Sequence, residues 1–146
     1  MMILRKSTKK DIKELTRISK EAFDSDVQVG GTEIGGPPDY DSEEWHMDMM
    51  KQNHLYTYTC DDKTIVGGAV LFGSEKLFVG RIFIAPEHFR KGYGMSLMQD
   101  IERILSPKTI NLDTPVWNER TNRFYKKCGY RETGRDSESV YYEKQM

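Results

Sequence analysis

Cysteine is scarce in this chain: Cys60 and Cys128 are the only two among 146 residues. Two cysteines cannot make a disulfide framework, and neither has His or Cys nearby at metal-ligand spacing. Both are expected to be reduced packing residues, no metal is expected, and the default location is cytoplasmic. Long apolar runs are missing as well. None approaches the roughly 20 residues that a membrane span requires. Met1 to Lys10 leads directly into a strand and a charged helix, so no signal peptide is expected. Nor is there an excess of either charge: 22 Lys and Arg face 23 Asp and Glu, a net −1 that favours neither nucleic acid nor an anionic membrane as partner. No Walker loop is present, because no Gly-Lys-Ser/Thr follows a glycine at the needed spacing. Leu97 stands where a dinucleotide fingerprint would need its third glycine. Repeats, linkers and low-complexity segments are absent. With 37% hydrophobic and 31% charged residues, the composition is that of a hydrophilic globule. The length predicts one domain over 1–146 that buries about two-thirds of its unfolded surface.

The elements follow from periodicity and punctuation. Met2–Arg5 reads as a short strand. Thr8, with Asp11 three residues on, is a weak capping box before the helical stripe Ile12, Leu15, Ile18, Ala22 and Phe23. Glycine and proline pairs break the next segment. Ser42 then caps a second helix, whose first turn carries Glu43 and Glu44 and whose Trp45, Met49 and Met50 face inward. Leu55–Cys60, Thr64–Phe72 and Leu77–Ile84 read as successive strands, separated by Asp61-Asp62 and Gly73-Ser74 turns. A helix after Gly94 places Leu97, Met98, Ile101, Ile104 and Leu105 on one side. Thr109–Leu112 is a strand, Glu119–Lys127 a helix, and Tyr130–Gly134 with Val140–Glu143 a hairpin. The order βααβββαβαββ predicts an α/β fold, a mixed sheet with helices on both faces.

The most informative stretch runs from Gly80-Arg81-Ile82-Phe83-Ile84-Ala85-Pro86 into Phe89-Arg90-Lys91-Gly92-Tyr93-Gly94-Met95. An apolar strand enters a proline-marked loop, and two glycines one residue apart open a helix. Backbone N–H groups at a helix N-terminus, aided by the macrodipole, favour an anion. Gly92 and Gly94 let a phosphate come close to the backbone, and Arg90 and Lys91 add cations at the lip. By itself the pattern serves equally well as a tight loop-to-helix turn.

A second segment, Asn118-Glu119-Arg120-Thr121-Asn122-Arg123-Phe124-Tyr125-Lys126-Lys127-Cys128-Gly129-Tyr130, changes the balance. It resembles the Asn-x-x-Ala-x-x-x-Tyr-x-x-x-Gly-Phe pattern of the GNAT superfamily of acyl-CoA-dependent N-acyltransferases. The first stretch is similar to that family's Gln/Arg-x-x-Gly-x-Gly/Ala phosphate loop, and the two lie in the family's order across residues 80–130. The resemblance implies a three-layer fold, with a mixed, mostly antiparallel twisted sheet of about seven strands. It implies an acetyltransferase using acetyl-CoA as cosubstrate. It also implies roles for particular residues. Backbone groups of Ile82, Phe83 and Ile84 would hold the pantetheine arm and the acyl carbonyl. The N–H groups of Gly92, Tyr93, Gly94 and Met95, with Arg90 and Lys91, would hold the pyrophosphate. Asn118 would bond the pantetheine, and Tyr125 would reach the sulfur.

Each role has a plainer counterpart. Asn118 can serve as a helix N-cap, and Tyr125 can pack on the sheet. Full proton transfer from a normal phenol to a thiolate is uphill by about 2 kcal/mol, so Tyr125 is better read as a hydrogen-bond donor. A base would help the amine to attack. Asp113, just beyond the fifth strand, is the first candidate, with Glu43, Glu44 and His46 bordering the acceptor side. Two positions depart from the family pattern. Phe89 replaces a Gln or Arg and removes one polar contact to the phosphates. Thr121 replaces an alanine and keeps that face narrow.

Charge is segregated along the chain. Glu21, Asp24, Asp26, Glu33, Asp39, Asp41, Glu43, Glu44 and Asp48 fall in a stretch with no Lys or Arg. From Arg81 to Arg131 cations outnumber anions. A basic half suits a phosphate-rich donor, and an acidic half suits a cationic acceptor, a small amine or a peptide amine. Solvated loop carboxylates would look the same. The reading is therefore an acetyltransferase working by direct attack in a ternary complex. The alternative is a non-catalytic acyl-CoA-binding sensor or interaction module. The acceptor's identity and the oligomeric state, homodimer included, stay open.

Overall fold

The computed structural model describes residues 1–31, 34–61 and 63–146. Glu33 of the acidic run and Asp62 of the predicted turn lie outside them. The elements are β1 (Met2–Lys6), α1 (Ile12–Asp24), α2 (Glu43–Lys51), β2 (Leu55–Cys60), β3 (Thr64–Phe72), β4 (Lys76–Ile84), α3 (Tyr93–Leu105), β5 (Thr109–Pro115), α4 (Glu119–Lys127), β6 (Arg131–Arg135) and β7 (Ser139–Gln145). Short 3-10 turns at Lys9–Asp11, Ser25–Val29 and Pro86–His88 link them. The strands form one seven-stranded sheet in the order β1-β2-β3-β4-β5-β7-β6. Every pairing is antiparallel except that of β4 with β5.

Helices cover both faces because each presents one apolar stripe. α1 buries Ile12, Leu15, Ile18 and Ala22 against β3 and β4, joined by Phe83 and by α2. Leu15 and Ile18 are fully buried, each contributing about 2 kcal/mol of transfer free energy. On the opposite face α3 and α4 pack Leu97, Met98, Ile101 and Tyr125 against Leu71, Leu77, Val79, Ile110 and Leu112. Ile104, expected with that stripe, is 47% exposed, because the stripe turns outward near the end of α3. At the start of α1 the Asp11 carboxylate accepts from the Thr8 N–H at 2.7 Å, the reach-back half of a capping box. It is also gripped by both terminal nitrogens of Arg5, at 2.7 and 3.0 Å, which ties β1 to α1. No described helix is long and apolar enough to cross a membrane.

One irregularity positions everything that follows. β4 and β5 are parallel neighbours only over Lys76–Phe78 and Thr109–Asn111. Beyond that point β4 continues along β3 to Ile84, while β5 continues along β7 to Pro115. The sheet therefore splays open between them. A bulge at Gly80, between the pairs Val79–Leu71 and Arg81–Val70, bends β4 where the splay begins.

Candidate active site

Antiparallel pairing decides which backbone groups face the splay. The Ala85 N–H donates to the Val66 carbonyl at 2.8 Å. Counting back by twos along the unbroken register, Phe83 also turns its backbone to β3, while Ile82 and Ile84 turn theirs to the open side. Of the three residues named from the resemblance, Ile82 and Ile84 therefore turn their backbone groups to the splay and Phe83 does not. Phe83 instead puts its ring, 3% exposed, into the α1–α2 core.

At the end of β4 the chain passes the Pro86–His88 turn and curls into α3. Arg90 at φ 66° and Gly92 at φ 78° are both left-handed, which brings successive N–H groups toward one concavity. Glycine suits position 92, where a β-carbon would be conformationally strained. At Gly94 it would stand 3.2 Å from the Phe124 ring. The first bond of α3 runs from the Ser96 N–H to the Gly92 carbonyl at 3.0 Å, leaving the N–H groups of Tyr93, Gly94 and Met95 ahead of it. No side chain among the described residues caps them, and the first turn carries no acidic residue. Arg90 and Lys91 are exposed at its lip.

Phe89 does more than leave out a polar group. Its ring lies 5.1 Å beneath the guanidinium of Arg120, a cation–π contact. Arg120 in turn bonds Asp26 at 2.8 Å and Ser25 Oγ at 3.1 Å, tying α4 to the turn after α1. Burial pushes the Asp26 carboxyl up, against the pull of Arg120. Next to this latch a cleft of about 670 Å³ is lined by Gly30, Trp117, Arg120, Arg123, Phe124 and Lys127 among others. Phe124 is the ring that meets Gly94, so the cleft adjoins the Gly92–Gly94 turn. Sequence reasoning did not single out Arg120, Arg123 and Lys127 as site residues. Their spacing, one face of a helix, was the available signal.

Asn118 is 1% exposed, and its Oδ1 accepts the Thr121 N–H at 3.1 Å, so it caps α4. Tyr125 lies two turns further on, 7% exposed, with its ring against Phe124, Tyr130 and Tyr142. Its hydroxyl has no hydrogen-bond partner among the described residues, whereas the neighbouring Tyr130 and Tyr142 hydroxyls bond Glu102 and Asn122. Burial, then the fields of Cys128, Asp113 and Asp26, push the Tyr125 phenol well above its ordinary value. Asp113 projects from the face of β5 opposite Leu112, two residues past the last β4–β5 pair. Desolvation and the nearby Asp136 raise its carboxyl above the usual range.

The acceptor-side residues separate. Glu43 and Glu44 are exposed on the first turn of α2. His46 is drawn into the interior instead. It is fully buried between Trp45 and Phe83, with Nδ1 2.7 Å from the Ser42 carbonyl. That oxygen can only accept, so Nδ1 carries the hydrogen. Burial lowers the ring's pKa and keeps it neutral. His46 packs α2 onto the sheet and is closed to an acceptor. The acidic run is likewise partly used up: Glu21 pairs with Arg17, Asp24 with Lys20 and Asp26 with Arg120.

Residues 13–130 match the model of the Acetyltransferase (GNAT) family. The chain belongs to this family. The solved structures agree on the fold. PaiA N-acetyltransferase from Thermoplasma acidophilum, in complex with coenzyme A, superposes with a TM-score of 0.84 at 20% identity, covering 100% of this chain and 99% of that one. A GNAT-family acetyltransferase from Streptococcus agalactiae gives 0.87 at 16% identity, covering 99% and 95%. A chimera of spermidine N-acetyltransferase SpeG from Vibrio cholerae and hSSAT gives 0.73 at 21% identity, covering 99% and 95%. No curated protein sequence matches the chain. The expected mixed α/β fold and membership of an acetyltransferase family both stand.

Proposed function

We propose that this GNAT acetyltransferase moves the acetyl group of acetyl-CoA to a primary amine by direct attack in a ternary complex. The observation that carries the reading is the splay between β4 and β5, ending at the uncapped N-terminus of α3. One end offers unpaired backbone groups at Ile82 and Ile84, and the other offers the Tyr93, Gly94 and Met95 N–H groups. Arg90 and Lys91 supply charge for the pyrophosphate. Arg120, held over Phe89, supplies a cation near the place where the family pattern carries Gln or Arg. The coenzyme A bound to the Thermoplasma relative supports the same donor here.

In the reaction, the neutral amine attacks the thioester carbonyl, and negative charge builds on its oxygen. A backbone N–H aimed at that oxygen stabilises it, and Ile82 is the residue we assign. The amine's proton passes to Asp113, directly or through water, whose raised pKa suits a base better than an ordinary carboxylate. When the carbon–sulfur bond breaks, the Tyr125 hydroxyl donates a hydrogen bond to the departing thiolate. With its pKa raised, the phenol keeps its proton while doing so. The test is thiol release from acetyl-CoA with a panel of primary amines. Amine-dependent release supports the enzyme. Tight binding of acetyl-CoA without release for any amine would identify a non-catalytic module.

A further inference from the structure

Arg120 joins the two banks of the splay at its mouth. Its backbone belongs to α4, which follows β5, while its guanidinium lies 5.1 Å over Phe89, in the connection that leaves β4. Nη2 reaches a third element, donating to Asp26 at 2.8 Å and to Ser25 Oγ at 3.1 Å. Nε and Nη1 make no hydrogen bond among the described residues, yet neither is shut away from solvent. The side chain is 39% exposed and lines the open 670 Å³ cleft, so a ligand can reach these free donors. Phe124, one turn on along the same face of α4, is the ring that a β-carbon at Gly94 would meet at 3.2 Å. Arg120 thus stands about one helical turn from the uncapped N–H groups that open α3.

On the acetyl-CoA reading above, we infer that Arg120 is an exchange residue: it closes the empty splay onto Asp26 and passes to the donor's diphosphate when acetyl-CoA binds. Asp26 is then a competitor for Arg120, and the turn after α1 is freed as the donor site fills. The balance of partners favours the exchange. Asp26 offers a single carboxylate, and burial works against its charge. A diphosphate brings two charges, and its oxygens suit the planar guanidinium fork. Asp26 is not stranded when Arg120 leaves, because the Asn118 side chain also bonds it.

An ion pair that only holds the fold responds alike to loss of either member, whereas exchange gives opposite signs. Calorimetric titrations with acetyl-CoA, and separately with inorganic pyrophosphate, are compared for wild-type, Arg120→Gln, Arg120→Lys and Asp26→Asn proteins, with Tm recorded for each. Asp26→Ser takes the place of Asp26→Asn if that variant does not fold. Arg120→Gln should weaken acetyl-CoA binding about tenfold or more, and Arg120→Lys should restore part of it. Asp26→Asn should lower Tm yet tighten acetyl-CoA about two- to fivefold, because Arg120 has lost its competitor. Binding that is unchanged in Arg120→Gln, or that weakens in both Asp26 variants, overturns the exchange and leaves the acetyl-CoA site standing. Suppose instead that acetyl-CoA does not bind, while pyrophosphate binds more weakly to Arg120→Gln and more tightly to Asp26→Asn. That result upholds the exchange and removes the acetyl-CoA reading. Binding of neither compound by wild-type protein or any variant removes both.

Discussion

Tyr125 holds its hydroxyl free in a setting where its neighbours Tyr130 and Tyr142 bond theirs. Burial is the main cause of its raised pKa. The sign follows directly. A raised phenol stays protonated through pH 10, and its contribution to stability is complete below that value and is lost as pH rises through the folded pKa. Tyr125 should therefore impose no falling limb on kcat at or below about pH 10. Tyr125→Phe should lower kcat by about 10- to 100-fold, leaving acetyl-CoA affinity and Tm nearly unchanged. An unaltered kcat would remove Tyr125 from the mechanism. Asp113 carries the opposite task. Its pKa is raised by desolvation and by Asp136, so the acid limb of kcat/KM should lie above the usual carboxylate value of about 4. Asp113→Asn should abolish that limb. A limb that persists unchanged would assign the base elsewhere.

Asn118 works through an element, since its side chain begins α4. Asn118→Ala should cost about 1 kcal/mol through the lost cap, read as a drop in Tm of a few degrees. Asn118→Ser keeps an acceptor for the Thr121 N–H without setting a second carboxylate beside Asp26, and should keep most of the stability. If the amide also binds the pantetheine arm, acetyl-CoA affinity should fall in Asn118→Ser even though Tm holds, and unchanged affinity would leave Asn118 as a cap alone. Much of the element layout was legible beforehand, because helical stripes, turn residues and the Gly92–Gly94 spacing are local signals. What was not legible lies across elements. Periodicity marked Trp45, Met49 and Met50 as inward but could not show that His46 closes between Trp45 and Phe83. It placed Ile82, Phe83 and Ile84 on one strand without the register that turns Phe83's backbone to β3. The bond from Arg120 to Asp26 spans 94 residues of chain, and no local pattern marks such a pair.

For the molecule as a whole, two clamps hold the layers in relation to the splay: Arg120 on Asp26, and Arg5 on Asp11. Burial alone would raise the Asp11 carboxyl, but bonds from Arg5, Thr8 and Thr57 outweigh it, and its pKa is lowered. That contribution to stability is present above the unfolded value and is lost as pH falls through the folded one. Unfolding free energy should therefore decline below about pH 4, with a shallower decline in Asp11→Asn, as measured by urea titration across pH. An identical decline in the variant would place the acid sensitivity in other carboxylates. Charge is also divided between the layers: Arg90, Lys91, Arg123 and Lys127 are exposed around the α3–α4 end, and Glu43 and Glu44 at the α2 end. The central claim, that the splay and the uncapped end of α3 form an acetyl-CoA site, meets its most direct test in calorimetric titration of wild-type and Gly94→Val proteins with acetyl-CoA. The account predicts micromolar binding by wild-type protein and its loss in the variant, where a side chain at 94 presses on Phe124 beside the phosphate loop. At about 100 times the dissociation constant, acetyl-CoA should also stabilise the wild-type fold by about 2.7 kcal/mol. No binding by wild-type protein, or equal binding by a folded variant, would contradict it.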